Sequence, residues 1–170
     1  MADTMTKQQR HDCMASIKGK DTKPEMLVRR FLHGAGYRYR LHDRKLPGCP
    51  DLVFPSLRTV IFVNGCFWHG HEGCKYYRLP KSNIDFWKQK IDRNRERDAE
   101  AIQKLEAEYW NVIVIWECEL RNKTQREEIL ERICRELFDI RNRTYARPCL
   151  PYADDDEVSE AAEPEAKYGE

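Results

Sequence analysis

No stretch of the 170 residues approaches the roughly 18–20 consecutive apolar residues that a membrane-spanning helix requires, and the mean hydropathy is −0.82. Residues 1–20 carry scattered charges and no apolar segment, which argues against a secretory signal and predicts a soluble, cytoplasmic protein. Seven cysteines are an odd number in such a chain. They argue against a complete disulfide framework and leave metal ligation as the better use for some of them. No internal repeat is visible. Net charge is also small, at +1. With 41% apolar residues, the chain has one domain's worth of sequence and enough apolar side chains for its own core.

The small net charge hides a segregation. Residues 153–170 hold eight acids (Asp154, Asp155, Asp156, Glu157, Glu160, Glu163, Glu165 and Glu170) against Lys167 alone. The residues before them hold 29 Lys and Arg against 21 Asp and Glu, a body of +8 beside a tail of −7. A basic body predicts a polyanionic partner, nucleic acid first. The tail has only Val158 and Tyr168 as large apolar groups and is expected to stay disordered. Solubilisation is its plain use; a DNA mimic competing for the basic face is the sharper one. Three regions are therefore expected: a DNA-contacting arm or helix over 1–22, a folded domain over 23–145, and an acidic tail over 146–170.

Local patterns fill in the middle region. Met5 to Lys18 reads as a polar helix or arm offering Arg10, His11 and Lys18 to phosphates. Asp21-Thr22-Lys23-Pro24-Glu25 is a helix start, with polar capping candidates, Pro in the first turn and an acid after it. The helix ends near Gly34-Ala35-Gly36. Tyr37 to His42 alternates as a half-exposed strand, Asp51 to Phe54 and Arg58 to Asn64 are strands, and Asn111 to Trp116 is the most buried-looking strand. A long helix is expected over Asn83 to Tyr109, with Lys and Arg dense between Lys88 and Asp98, and a last helix over Thr124 to Phe138. The order predicts an α/β fold, a small mixed sheet flanked by helices.

Two constellations carry chemistry. Cys66, His69, His71 and Cys74 fall within nine residues, and Cys118 follows the apolar strand. Zinc takes four sulfur or nitrogen donors in a closed tetrahedron, so this loop predicts a structural zinc, with the choice between His69 and His71 open on spacing alone. Cys13, Cys49, Cys134 and Cys149 stand apart and are expected to be free thiols. The second constellation begins at Pro50-Asp51, where a carboxylate opens a strand. A hard cation such as Mg²⁺ needs oxygen ligands and often takes a single protein carboxylate plus phosphate oxygens. An imidazole suits the proton transfer from water near neutral pH.

These residues, with Lys18-Gly-Lys-Asp-Thr-Lys-Pro-Glu25, Leu46-Pro-Gly-Cys-Pro-Asp51, Gly65-Cys-Phe-Trp-His69, Phe86-Trp-Lys-Gln-Lys-Ile91, Asn94-Arg-Glu-Arg-Asp98 and Trp116-Glu-Cys-Glu-Leu120, resemble the very-short-patch-repair (Vsr) mismatch endonucleases. The likeness runs from about residue 12 to 138. It implies a restriction-endonuclease-like, PD-(D/E)xK-related three-layer core with a structural zinc loop. The implied activity is Mg²⁺-dependent nicking of one DNA strand 5′ to the thymine of a T:G mismatch left by deamination of 5-methylcytosine. The resemblance makes Asp51 the Mg²⁺ carboxylate, His69 the general base and Glu25 a holder of water or metal. Val63 would lend its carbonyl to the metal, with Asn64 beside the phosphate. It assigns Cys66, His71, Cys74 and Cys118 to zinc, and Phe67, Trp68 and Trp87 to a wedge entering the duplex. It also implies a cytosine methyltransferase and a MutL-type repair protein as associates, a monomer, and action at the bacterial nucleoid.

Departures accompany the likeness. Better-known members carry His where this chain has Asn64, which cannot carry a proton, and the acid and lysine of the usual nuclease motif are absent from Val63-Asn64-Gly65. The loop between His71 and Cys74 is one residue longer. Two other readings stand beside the enzyme: a non-catalytic zinc module that binds distorted DNA, and a restriction-like nuclease without mismatch preference. Asp51, Glu25 and His69 together count against the first, and the aromatic wedge against the second.

Overall fold

A computed structural model describes residues 19–145 and four positions before them, Thr6, Gln8, Gln9 and Asp12. The rest of the arm expected over Met5–Lys18, the acidic tail, and Cys13 and Cys149 lie outside the described residues. Three helices and a four-stranded sheet make up the described fold. Helix α1 (Lys23–Gly34) starts at a capping box: the Glu25 N–H donates to Thr22 Oγ1, and the Thr22 N–H donates back to Glu25 Oε2 at 3.3 Å. Strands β1 (Arg40–Leu41), β2 (Leu52–Phe54) and β3 (Thr59–Asn64) follow, then the long helix α2 (Ile84–Ala107), β4 (Asn111–Trp116) and helix α3 (Lys123–Tyr145).

The sheet order is β1-β2-β3-β4, antiparallel through β3 and parallel between β3 and β4, so the expected mixed sheet is present. Alternation along the strands divides the core. Leu52, Phe54, Ile61, Ile113 and Ile115 face α1 and α3, where they meet Val28, Leu32, Ile133 and Leu137. Val53, Val60, Phe62 and Val112 face the other way, onto Leu105 of α2. Helices thus cover both faces of the sheet, and each fully buried aliphatic contributes about 1.5–3 kcal/mol.

Three boundaries differ from the sequence pattern. The strand expected over Tyr37–His42 is only two residues long, because its partner β2 runs into Pro55, which lacks the N–H the next ladder bond requires. Tyr37 and Tyr39 instead set their ring edges on Phe54, and their hydroxyls donate to the Cys134 and Arg29 carbonyls. Arg58 adopts a left-handed turn at φ 43° and falls outside β3. Helix α3 runs past Phe138 to Tyr145, since no Gly or Pro intervenes before Pro148 and Ile140 continues the buried row of Ile133 and Leu137. The sequence sets Ile84, Trp87, Ile91, Ile102, Leu105 and Tyr109 close to one apolar stripe of α2; Ile91 and Leu105 are buried, but Ile84 in its first turn and Tyr109 beyond its end are exposed. No described helix is long and apolar enough to cross a membrane.

Candidate active site and metal centre

One cleft, with a volume of about 860 Å³, collects Glu25, Asp51, Val63, Asn64, Trp68 and His69 from four parts of the chain. Each arrives for a local reason. Glu25 is the capping-box acid of α1 and is buried, at 1% exposure. Asp51 directly precedes β2, and its Oδ2 accepts the Val63 N–H at 2.7 Å, so it stands against the end of β3. Val63 therefore touches Asp51 through its amide. Asn64, the last residue of β3, is buried beside them at 8% exposure.

Helix α2 forms the opposite wall, and one stripe of it does most of the placing. Asn94 donates to the Trp68 carbonyl at 2.8 Å, and Asp98, one turn later, meets His69 Nδ1 at 2.5 Å. Two glycines bring the loops onto this stripe. Gly70 has φ 60°, and a Cβ there would lie 2.7 Å from Ile91; Gly48 has φ 72°, and a Cβ there would lie 2.8 Å from Ala101. With Nδ1 held by Asp98, Nε2 is the ring nitrogen that His69 has left for chemistry in the cleft.

Burial pushes the Asp51 carboxyl above its ordinary range. The Val63 N–H opposes this, Glu25 adds repulsion, and His42 and His69 offset it in part. Such a carboxylate, buried with a second one near it, is a site where a divalent cation fits.

At the far side of the same loop, Cys66, His71, Cys74 and Cys118 converge, their donor atoms all within 4.8 Å of one another. His71 Nδ1 lies 3.4 Å from Cys118 Sγ, and the imidazole stacks flat on Trp116 at 4.1 Å. His69 takes no part in this group. Burial pushes the Cys66 thiol up to about 12 and raises that of Cys118 as well. For Cys74, desolvation is outweighed by hydrogen bonds from the Tyr76 backbone and the neighbouring thiols, which bring it below the ordinary value. Three thiols and an imidazole so packed suit a soft or borderline cation, whose charge would offset the cost of buried thiolates. Among the described residues Cys49 and Cys134 form no disulfide.

Beside the cleft mouth, Phe67, Trp68 and Trp87 pack edge to face, with centroids 5.1, 5.4 and 6.0 Å apart. None of the three belongs to the buried core. The Lys90 ammonium stands over Trp68 and Trp87 at 5.5 and 5.6 Å, and Phe86 extends the cluster while 54% exposed.

Comparison with known proteins decides the family. The family model described as DNA mismatch endonuclease Vsr matches residues 2–75. The type II nicking enzyme V.XorIIP of Xanthomonas oryzae pv. oryzae is 49% identical over 133 residues, which cover 78% of this chain and 97% of that protein. The chain belongs to the Vsr family. V.NmeAIP, a type II nicking enzyme of Neisseria meningitidis, is 48% identical over 82% of this chain and 99% of its own length. DNA mismatch endonuclease Vsr of Escherichia coli is 40% identical over 78% of this chain and 86% of its own. Membership makes the protein a DNA endonuclease of very short patch repair, and DNA its partner.

Two residues of the cleft carry no task in the sequence pattern alone. Asp98 was visible as the end of Asn94-Arg-Glu-Arg-Asp98 but had no task; its spacing of four from Asn94 on a helix, opposite consecutive loop residues, is the signal that pointed to one. His42, the last residue of the Tyr37–His42 alternation, belongs to no metal or catalytic motif in the sequence. It lies between Glu25 and Asp51, with Nε2 at 3.2 Å from Glu25 Oε1 and Nδ1 at 3.8 Å from Asp51 Oδ1. Aligning the hairpin would have found it, since the Leu41–Leu52 pair sets position 42 opposite position 51.

Proposed function

We propose that this protein nicks one strand of duplex DNA 5′ to the thymine of a T:G mismatch, through a hydrolytic centre within residues 23–145, a restriction-endonuclease-like domain. The observation that carries the reading is the His69–Asp98 pair set in one cleft with Asp51 and Glu25, its mouth walled by aromatic rings. His69 Nε2 takes the proton from the attacking water as its oxygen bonds to phosphorus and the phosphodiester P–O bond breaks. Asp98, on Nδ1, fixes the ring's tautomer and orientation and supports the charge the imidazole gains.

Asp51 and the Val63 carbonyl would hold Mg²⁺, and Glu25 would hold water or the metal. When bound there, Mg²⁺ supplies Lewis-acid polarisation of the scissile phosphate. Asn64 donates from its amide to a phosphate oxygen. The Cys66, His71, Cys74 and Cys118 site holds Zn²⁺, which supplies a structural tie between the loop and the ends of β3 and β4.

Mismatch preference comes from Phe67, Trp68 and Trp87. Apolar rings between base steps cost a few kcal/mol of unstacking, and the cost is lower where the pair is already weak. Lys90 above the rings, with Lys88, Arg93 and Arg97 exposed along α2, supplies phosphate contacts. The enzyme acts as a monomer, since one nick needs one centre, on nucleoid DNA in the bacterial cytoplasm, with a MutL-type repair protein as associate.

A nicking assay in Mg²⁺ on a duplex with one T:G pair, beside its T:A control, tests this. Nicking of the T:G strand alone, lost in Asp51→Ala, is the expected result. Equal cutting of both duplexes would favour a restriction-like nuclease, and tight T:G binding with no nicking would favour a binding module.

A further inference from the structure

His42 occupies a place that the reaction above leaves without a task. Its side chain is 15% exposed, and its backbone lies in the left-handed region at φ 47°, where a non-glycine residue stays only if its surroundings hold it. Its N–H donates to the Asp51 carbonyl at 3.3 Å, which fixes the imidazole over the cleft. The ring sits between two carboxylates. Nδ1 faces Asp51, and Nε2 lies 3.2 Å from Glu25 Oε1, yet this buried nitrogen meets no group with hydrogen-bond geometry.

A buried polar atom so close to an acceptor, and not bonded to it, needs a reason. Neighbouring ligands of one cation provide it: donors about 2.1 Å from an octahedral ion and at right angles to each other stand about 3.0 Å apart. Asp21 adds another carboxylate, and the donor atoms of Asp21, Glu25 and His42 lie within 4.8 Å of one another. The charges agree. Arg29 pairs with Asp21 and reaches Glu25 at 3.3 Å, so one guanidinium serves both of these carboxylates while Asp51 stands beyond it.

We propose that His42 Nε2 is a metal ligand which, with Glu25, gives the cleft a mixed nitrogen–oxygen position beside Asp51 and so favours a first-row transition cation over Mg²⁺. Imidazole nitrogen suits such cations, whereas Mg²⁺ takes oxygen donors. The proposal rests on the reading that the cleft holds a divalent cation. His42 thereby brings to the cleft a nitrogen donor that the Asn64 amide does not supply.

Mn²⁺ alone, titrated into the full-length protein without DNA and followed by electron paramagnetic resonance, reads the site without turnover. His42→Gln is expected to weaken Mn²⁺ binding about tenfold or more, while Mg²⁺ binding measured by competition changes less than about threefold. Spin-echo modulation from a coordinated nitrogen should be present in the wild type and in His69→Ala, and absent in His42→Gln. His42→Asn, a side chain that tolerates the left-handed backbone, repeats the measurement in a protein whose fold is checked by circular dichroism. Unchanged Mn²⁺ affinity in both His42 variants, or a nitrogen signal that survives both, overturns the proposal. Asp51→Asn separates two failures. If it weakens binding and the His42 variants do not, His42 alone is removed; if binding ignores Asp51→Asn too, the cleft is no cation site.

Discussion

The thiol cluster and the carboxylate cleft lie on either side of the same short loop and differ in the two properties that sort metal sites, donor softness and openness. Cys66, His71, Cys74 and Cys118 form a closed set of four soft or borderline donors. Glu25, Asp51 and Asn64 offer mostly oxygen and line a cavity with room for a phosphate. A closed set holds structure together, whereas an open one leaves positions for water and substrate. Gly70 makes the separation possible. Its left-handed turn at φ 60° sends His69 to Asp98 and the cleft and His71 to Cys118 and the thiols, though only one residue lies between them.

The largest effect is expected from breaking the closed set. Cys66 follows β3 and Cys118 follows β4, so a cation there ties two strand ends to the intervening loop. Cys118→Ala, or stripping with a thiol-competitive chelator, should cost several kcal/mol, about 10 °C in Tm for a chain of this size, and abolish nicking. Thermal melts with and without chelator check this. An unchanged melt and intact nicking would mean the four side chains hold no structural metal.

Breaking the open set should do the reverse to stability. Asp51→Asn is expected to reduce nicking to background while raising the Tm of the metal-free protein, on the order of 1 kcal/mol. The sign follows from burial, which raises the Asp51 carboxyl in the fold. Stability from such a group is full below its unfolded pKa and is lost as the pH rises through the folded one. The advantage of Asp51→Asn should therefore be present at neutral pH and vanish in acid, where the wild type is protonated too. A variant less stable than the wild type at neutral pH would show that the Val63 N–H outweighs desolvation.

The contrast between the two clusters also explains what the sequence made legible. The thiol set is local: three of its members fall within nine residues, so a loop rich in Cys and His announces itself. The mixed sheet and the helix start at Thr22–Glu25 were likewise written in periodicity and short motifs, whereas Asn111–Trp116, expected to be the most buried strand, buries only Ile113 and Ile115 and is less covered than β2 or β3. The cleft is assembled from α1, the β1–β2 hairpin, the end of β3 and α2. Asp51 could be suspected from Pro50-Asp51, but His42 has meaning only once the hairpin sets it beside Asp51, and Asp98 only once α2 lies across the loop. The length of β1 failed for a related reason. Alternating Tyr-Arg-Tyr-Arg reads as strand, while the limit on pairing sits in the partner, at Pro55.

A smaller effect should separate His69 from its support. His69→Ala removes the proposed proton acceptor and is expected to lower the single-turnover rate by about 10²–10⁴. Asp98→Asn keeps a polar group at 2.5 Å but loses the charge that favours the imidazolium, and should cost about ten- to a hundredfold. The dependence of rate on pH tells the two roles apart. Asp98→Asn should move the acidic limb of the profile, the limb a general base governs, whereas a purely structural Asp98 would lower the rate and leave the profile's shape alone.

The smallest expected change sharpens the comparison at the cleft mouth, where the aromatic cluster can be read as core or as wedge. Trp87 touches Phe67, Trp68 and Phe86, yet stays only half-buried under Lys90. A core tryptophan replaced by alanine costs about 3–5 kcal/mol of stability and alters T:G and T:A binding equally. A wedge that stacks on bases loses about 1–3 kcal/mol of binding instead, with little change in Tm. Trp87→Ala should follow the second pattern and lose that affinity mainly on the T:G duplex, where unstacking is cheaper and the ring enters further. Binding to both duplexes, measured beside the melt, decides the matter. A large fall in Tm with an unchanged T:G to T:A ratio would return Trp87 to the core and leave mismatch preference to the loop residues Phe67 and Trp68.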